Sequence, residues 1–117
     1  MVRVIDPLFV GAGAVLGAWA RFLTGELLER RTLYVLGVNV VGSFVFGALL
    51  AAPVTSAVFL FVGVGFCGSF TTFSSFAVES VLLFESNRRL AVLNAAGTLV
   101  ATLLAVALGA GVVTLLA

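Results

Sequence analysis

Residues 32–78, between Arg31 and Glu79, hold no formal charge. A helix rises about 1.5 Å per residue, so this uncharged run of 47 residues can cross a hydrocarbon core of about 30 Å twice. It must therefore turn. Its one proline is Pro53, in Ala51-Ala52-Pro53-Val54-Thr55-Ser56, which reads as a short loop. The whole chain follows suit, with 9% charged and 62% hydrophobic residues among 117. A soluble domain carries about 25% charged residues, and a disordered one is polar and charged. The single Cys67 excludes a disulfide scaffold. A net charge of +1 without a basic patch argues against a nucleic-acid partner. The chain reads as an integral membrane protein with lipid as its solvent.

The eleven charges divide the chain into four spans, at about 8–25, 32–51, 56–84 and 90–116, within one domain covering 1–117. Their apolar runs are continuous, whereas a membrane strand alternates, so an all-α fold of four transmembrane helices is predicted. The first run lacks a strongly basic n-region and three more follow it, so it reads as a span and not as a cleaved signal. Four spans put both termini on one side. Gly13-x3-Gly17 and Gly37-x4-Gly42-x4-Gly47 would let helix backbones approach closely.

Polar residues inside a span are costly and mark function by default. Arg21, near the end of the first span, either snorkels to the headgroups or anchors an anion-drawing vestibule. Asn39, in mid-span, either makes an interhelical hydrogen bond or aims a donor into a pore. Five of the fifteen Ser and Thr residues lie between Ser69 and Ser75, in Gly65-Phe-Cys-Gly-Ser-Phe-Thr-Thr-Phe-Ser-Ser-Phe76. Hydroxyls this dense, beside two glycines, predict a third helix broken at its centre, where carbonyls could coordinate a cation.

Phe66, Phe70, Phe73 and Phe76 step by three and four, so a continuous helix would bring them near one face. They either pack in the core or offer positive ring edges to an anion. Glu79 either accepts from neighbouring hydroxyls, as a structural group, or serves proton coupling. Asn94, Thr98 and Thr102 step by four and share a face, although Thr can also bond its own preceding turn.

Four ordered motifs give the chain a resemblance. They are Gly13-x3-Gly17-Ala-x2-Arg21-Phe22, Gly37-x-Asn39-x2-Gly42-Ser43-Phe44-x2-Gly47, Gly65 to Phe76 followed by Glu79, and Asn94-x3-Thr98. Nearly throughout, the chain resembles the small CrcB/Fluc fluoride channels. The resemblance implies an antiparallel dimer of four-helix subunits with two narrow fluoride pores. It implies a third-helix break from Gly68 to Thr72, with the carbonyls of Gly68 and Thr71 holding a structural Na⁺ that is not transported.

The same resemblance makes Phe73 and Phe76 the pore phenylalanines, beside the hydroxyls of Thr72 and Ser75. Asn39 becomes the pore amide, Thr98 and Thr102 a hydroxyl track, and Arg21 a vestibule residue. Ser69 stands where the family often has a second Gly, which matters little to a site built from carbonyls.

Orientation follows from arginine. The side of the termini and the Pro53 loop has only Arg3, whereas the other has Arg30, Arg31, Arg88 and Arg89, with Arg21 near it. The positive-inside rule then predicts a cell-membrane protein with both termini extracellular. An antiparallel dimer would need an oppositely oriented partner, so a heterodimer with a related chain is expected, a dual-topology homodimer being the alternative.

The expected function is passive fluoride export, which lowers cytoplasmic fluoride toxicity. No catalytic constellation is present, so no enzyme is expected. A small multidrug-type dual-topology transporter is the alternative. It needs a carboxylate in its first helix, where this chain has Arg21. An accessory subunit without transport is a third option, against which the Ser/Thr/Phe centre speaks.

Overall fold

In a computed structural model, which describes residues 3–117, the chain is all helical. Four stretches are long and apolar enough to cross a membrane: Asp6–Leu27, Arg31–Ala51, Ser56–Ser86 and Arg88–Leu116. The first is helix α1 and the second is α2 (Arg31–Ala51). The third span is composite. It comprises a short α3 (Ser56–Val58), a π-helical segment (Phe59–Cys67), a short α4 (Gly68–Phe70) and α5 (Phe73–Ser86). The fourth span is α6 (Arg88–Leu116).

Local chemistry sets the boundaries. Pro7 lies in the first turn of α1, where its missing N–H costs no helical bond. Thr55 caps α3 by accepting from the Val58 N–H, and Asn87 caps α6 by accepting from the Leu90 N–H. Between α2 and α3, the loop around Pro53 turns the chain back.

Two backbone-to-backbone seams hold the bundle. In one, Gly13 and Gly17 of α1 lie against the backbones of Phe61 and Phe66, while Gly65 lies against Val10. A Cβ at any of the three would overlap a carbonyl oxygen. In the other, Gly47 of α2 sits on the backbone of Val106 and Gly109 of α6 on that of Phe44. Between lipid-solvated helices there is no hydrophobic drive to associate, so such close packing supplies the attraction. Gly37 is different: a Cβ on it would come no nearer than 3.8 Å to its closest neighbour, the Leu28 side chain, so it takes no part in a tight seam.

The break in the third span is shorter than the predicted Gly68-to-Thr72 interval. Gly68 keeps helical angles (φ −60°, ψ −31°). Only Thr71 (φ −80°, ψ 161°) and Thr72 (φ −149°, ψ 111°) are extended. The break also divides the phenylalanine stripe. Phe66 and Phe70 stack at 5.5 Å on one side, and Phe73 and Phe76 meet at 6.0 Å and 45° on the other. The four rings therefore form two pairs and not one continuous face.

Candidate functional site

Two extended residues at membrane depth leave helical donors and acceptors without partners, which lipid cannot supply. Asn39 solves half of this. Its Oδ1 accepts the Thr72 N–H at 2.8 Å and its Nδ2 donates to the Thr72 carbonyl at 3.1 Å. One side-chain amide thus clasps both polar groups of one backbone residue. Thr72 then restarts the helix, its Oγ1 accepting the Ser75 N–H at 3.1 Å as an N-cap. Thr71 ends the preceding turn, with its N–H (3.1 Å) and its hydroxyl (2.8 Å) both donating to the Cys67 carbonyl.

These diversions have a geometric consequence. In an unbroken helix the Thr72 N–H would bond the Gly68 carbonyl and the Ser75 N–H the Thr71 carbonyl. Asn39 and Thr72 Oγ1 take those donors instead. The carbonyls of Gly68 and Thr71 thereby lose their helical donors. Gly68 is exposed, with open space where a Cβ would stand.

Around the break lies a groove of about 310 Å³. Its walls are Asn39 and Ser43 from α2, Thr71, Thr72, Phe73 and Phe76 from the third span, and Thr98, Leu99 and Thr102 from α6. Six of the residues expected to form a pore meet here: Asn39, Thr72, Phe73, Phe76, Thr98 and Thr102. Phe73 is 80% exposed, whereas Thr72 and Thr98 are buried. Thr102 donates back to the carbonyls of Thr98 (2.9 Å) and Leu99 (3.0 Å), as a membrane Thr can. Its hydroxyl oxygen still has acceptor capacity. Ser43 and Leu99 were not singled out from the sequence. Ser43 lies one turn from Asn39 and so shares its face, a spacing that could have found it.

A second groove, of about 280 Å³, lies across the same wall and is lined by Gly42, Cys67, Gly68 and Thr71 among others. Gly42 leaves room for the Thr71 methyl, which a Cβ there would strike.

Three expected site residues lie elsewhere. The Ser75 side chain is not among the groove's lining residues, and its N–H serves the cap. Arg21 is half-buried on α1 and lines neither groove. Glu79 is buried in α5, where its Oε1 accepts from the Thr32 hydroxyl at 2.5 Å and its Oε2 pairs with Arg31 Nε at 3.3 Å. It ties the start of α2 to the middle of α5.

Among the described residues, no group of three or more His, Cys, Asp or Glu side chains could hold a metal. The groove offers hydroxyls, an amide and phenyl rings, all uncharged. Such a lining can replace part of an anion's hydration without trapping it behind a full opposite charge.

Comparison with known proteins decides the family. Residues 8–110 match the family described as "CrcB-like protein, Camphor Resistance (CrcB)". The chain belongs to the CrcB family. It is similar to the fluoride-specific ion channel FluC 2 of Natronomonas pharaonis, with 51% identity over 109 residues, or 92% of this chain and 94% of that protein. It is also similar to FluC 2 of Haloarcula marismortui, with 47% identity over 116 residues, or 97% and 98% of the two chains. FluC 1 of Geobacillus kaustophilus is 42% identical over 86 residues, 70% of this chain and 74% of that one. With its four candidate spans, this CrcB chain is a multi-pass membrane protein.

Proposed function

We infer that this CrcB chain is a subunit of a fluoride-specific ion channel through which fluoride leaves the cell passively. The observation that carries the reading is the groove at the third-span break, where Asn39, Thr72, Phe73, Phe76, Thr98 and Thr102 converge in a chain about half identical to a FluC protein over nearly its full length. Fluoride enters cells as its neutral acid and ionises inside, so an open path suffices for export. No bond is made or broken, and the protein is no enzyme.

In this reading the hydroxyls of Thr72 and Thr98 and the second Nδ2 proton of Asn39 replace water around fluoride, while Ser75 stands outside the groove and Thr102 lines it with its proton spent on the Thr98 and Leu99 carbonyls. The positive edges of Phe73 and Phe76 favour the anion without binding it tightly. Arg21 belongs to a vestibule at the end of α1.

The groove is one-sided, and Phe73, the more exposed of its two rings, stands 80% exposed. Both features suit a pore closed by a second subunit in an antiparallel dimer. The carbonyls of Gly68 and Thr71, stripped of their helical donors, are hard oxygen ligands that fit a structural Na⁺. A cation bound there would stabilise the break by satisfying them. The arginine asymmetry favours extracellular termini and an inverted, related partner subunit.

The test is fluoride efflux from liposomes read with a fluoride electrode, with this chain alone and with a co-expressed related chain. Efflux above that of empty vesicles in either case supports the reading, and efflux only with the partner supports the heterodimer. Absence of fluoride efflux in both, from folded protein, overturns it.

A further inference from the structure

A third crevice lies at the Arg-bearing end of the bundle. It measures about 230 Å³ and is lined by Arg30, Thr32, Leu33, Leu83, Leu90 and Asn94. Its position follows from helix register. Thr32 precedes Asn39 by seven residues on α2, and Leu83 follows Phe76 by seven on α5, so two turns, or about 10 Å, separate the layers. Asn94 precedes Thr98 by one turn on α6 and shares its face. The crevice is therefore stacked on the groove, between the same three helices, with Arg30 of the loop before α2 on its wall.

Charge at this end does not come from an excess of arginine. Arg30, Arg31, Arg88 and Arg89 are matched by Glu26, Glu29, Glu79 and Glu85. What differs is where each charge is spent. Arg31 is paired with the buried Glu79, and the Thr32 hydroxyl on the crevice wall is committed to the same carboxylate. Arg88 lies over the Phe84 ring at 5.2 Å. Arg30 is in no ion pair among the described residues, and it is the only charged residue on the crevice wall. A narrow cleft with low-dielectric walls of leucine focuses the field of a single charge and concentrates counter-ions.

We propose that this crevice is the mouth through which fluoride reaches the groove, and that Arg30 is the charge that gathers the anion there. The proposal rests on the fluoride-channel reading. Arg30 stands outside the groove, so it sets how fast fluoride arrives and leaves the selectivity of the path unchanged.

The experiment measures initial fluoride efflux from liposomes, in whichever subunit pairing conducts, at ionic strengths of about 0.01 M and 1 M, where the Debye length falls from about 30 Å to about 3 Å. Arg30→Gln is expected to conduct roughly threefold more slowly at low salt and to match wild type at high salt. Arg30→Lys keeps the wild-type rate. Arg89→Gln, outside the crevice, matches wild type at both salts. Equal rates for Arg30→Gln and wild type at low salt overturn the proposal. So does a deficit that salt does not screen, which would mark a structural role.

A deficit seen in anionic liposomes but absent in zwitterionic ones also overturns it, because Arg30 would then be holding a lipid phosphate. A wild-type chain that passes no fluoride in any pairing fails earlier, by removing the channel reading itself.

Discussion

The two halves of the third span have similar residues and opposite surroundings. Ser56–Phe70 lies backbone-to-backbone on α1, and its last phenylalanine turns inward: Phe66 and Phe70 stack, and Phe70 is 8% exposed. Beyond the break, Phe73 is 80% exposed and Phe76 is partly so. Steps of three and four in the sequence thus yield one pair of rings anchored in the bundle by Phe70 and another whose Phe73 faces out of it. The two-residue break held by Asn39 separates them. In the proposed channel, phenylalanine packs the bundle before Thr71 and lines the fluoride path after Thr72.

Substituting the exposed ring is the most direct way to break that comparison. Phe73→Ile should reduce fluoride efflux to the leak of empty vesicles. Its effect on stability should stay within about 0.5 kcal/mol, as for other exposed positions away from special contacts. Unchanged efflux would show that the outward ring is a lipid contact. A large loss of stability would show that the ring is buried in the assembled protein for packing alone.

The clasp itself should give the next largest effect, because it serves both halves. Asn39→Ala leaves the Thr72 N–H and carbonyl without partners in a region that water cannot easily repair. A cost of about 2 kcal/mol in the thermal or denaturant midpoint is expected, together with loss of efflux. Asn39→Asp keeps the acceptor for the Thr72 N–H but turns the donor facing the Thr72 carbonyl into a repelling oxygen. It should also abolish flux by placing negative charge in an anion path. An Asn39→Ala protein that is destabilised yet conducts normally would make the clasp purely structural.

Phe70→Ala tests the inward half. A buried Phe truncated to Ala costs about 3–5 kcal/mol in a well-packed interior. The lower end, about 3 kcal/mol, is expected here because Phe70 lines neither groove and packs beside Gly42, where its neighbours can collapse inward. Efflux per folded molecule should fall less than for Phe73→Ile. The reverse order of effects would invert the assignment of the two pairs.

Much of this arrangement is legible in the sequence, and the rest is not for identifiable reasons. The spacing of the charges reveals four spans because lipid forbids stray charge, a strong and one-dimensional constraint. The crowding of Ser69 to Ser75 marks the break because a plain lipid-facing helix has no use for so many hydroxyls.

The limits of the break are harder to read. Gly68 is permissive enough to end a helix but here continues one, and the chain extends only where Asn39 can clasp it. That partner is 33 residues away, beyond any local pattern. The π-helical segment is also hidden, since Phe59 to Cys67 is apolar on all sides and shows no periodicity to separate one helix type from another. For Glu79 the choice between an acceptor and a proton carrier depended on its neighbours. Thr32 and Arg31 answer it only once α2 and α5 are packed.

The smallest expected effect concerns that carboxylate. Glu79→Gln keeps an oxygen for the Thr32 hydroxyl but loses the charge facing Arg31. Arg31 is 54% exposed at its side chain, so water screens the pair and its removal should cost only about 1 kcal/mol or less. Efflux should stay within about twofold of wild type, because Glu79 does not line the groove. Glu79→Leu should cost more, since it also leaves the Thr32 hydroxyl without its acceptor at the start of α2. A graded series, with wild type most stable, Gln slightly less and Leu least, is what a tie between α2 and α5 predicts. If Glu79→Gln instead stops efflux at unchanged stability, the outward half of the third span extends its functional role a full turn beyond Phe76, and the division drawn at Thr72 would have to include the carboxylate in the path.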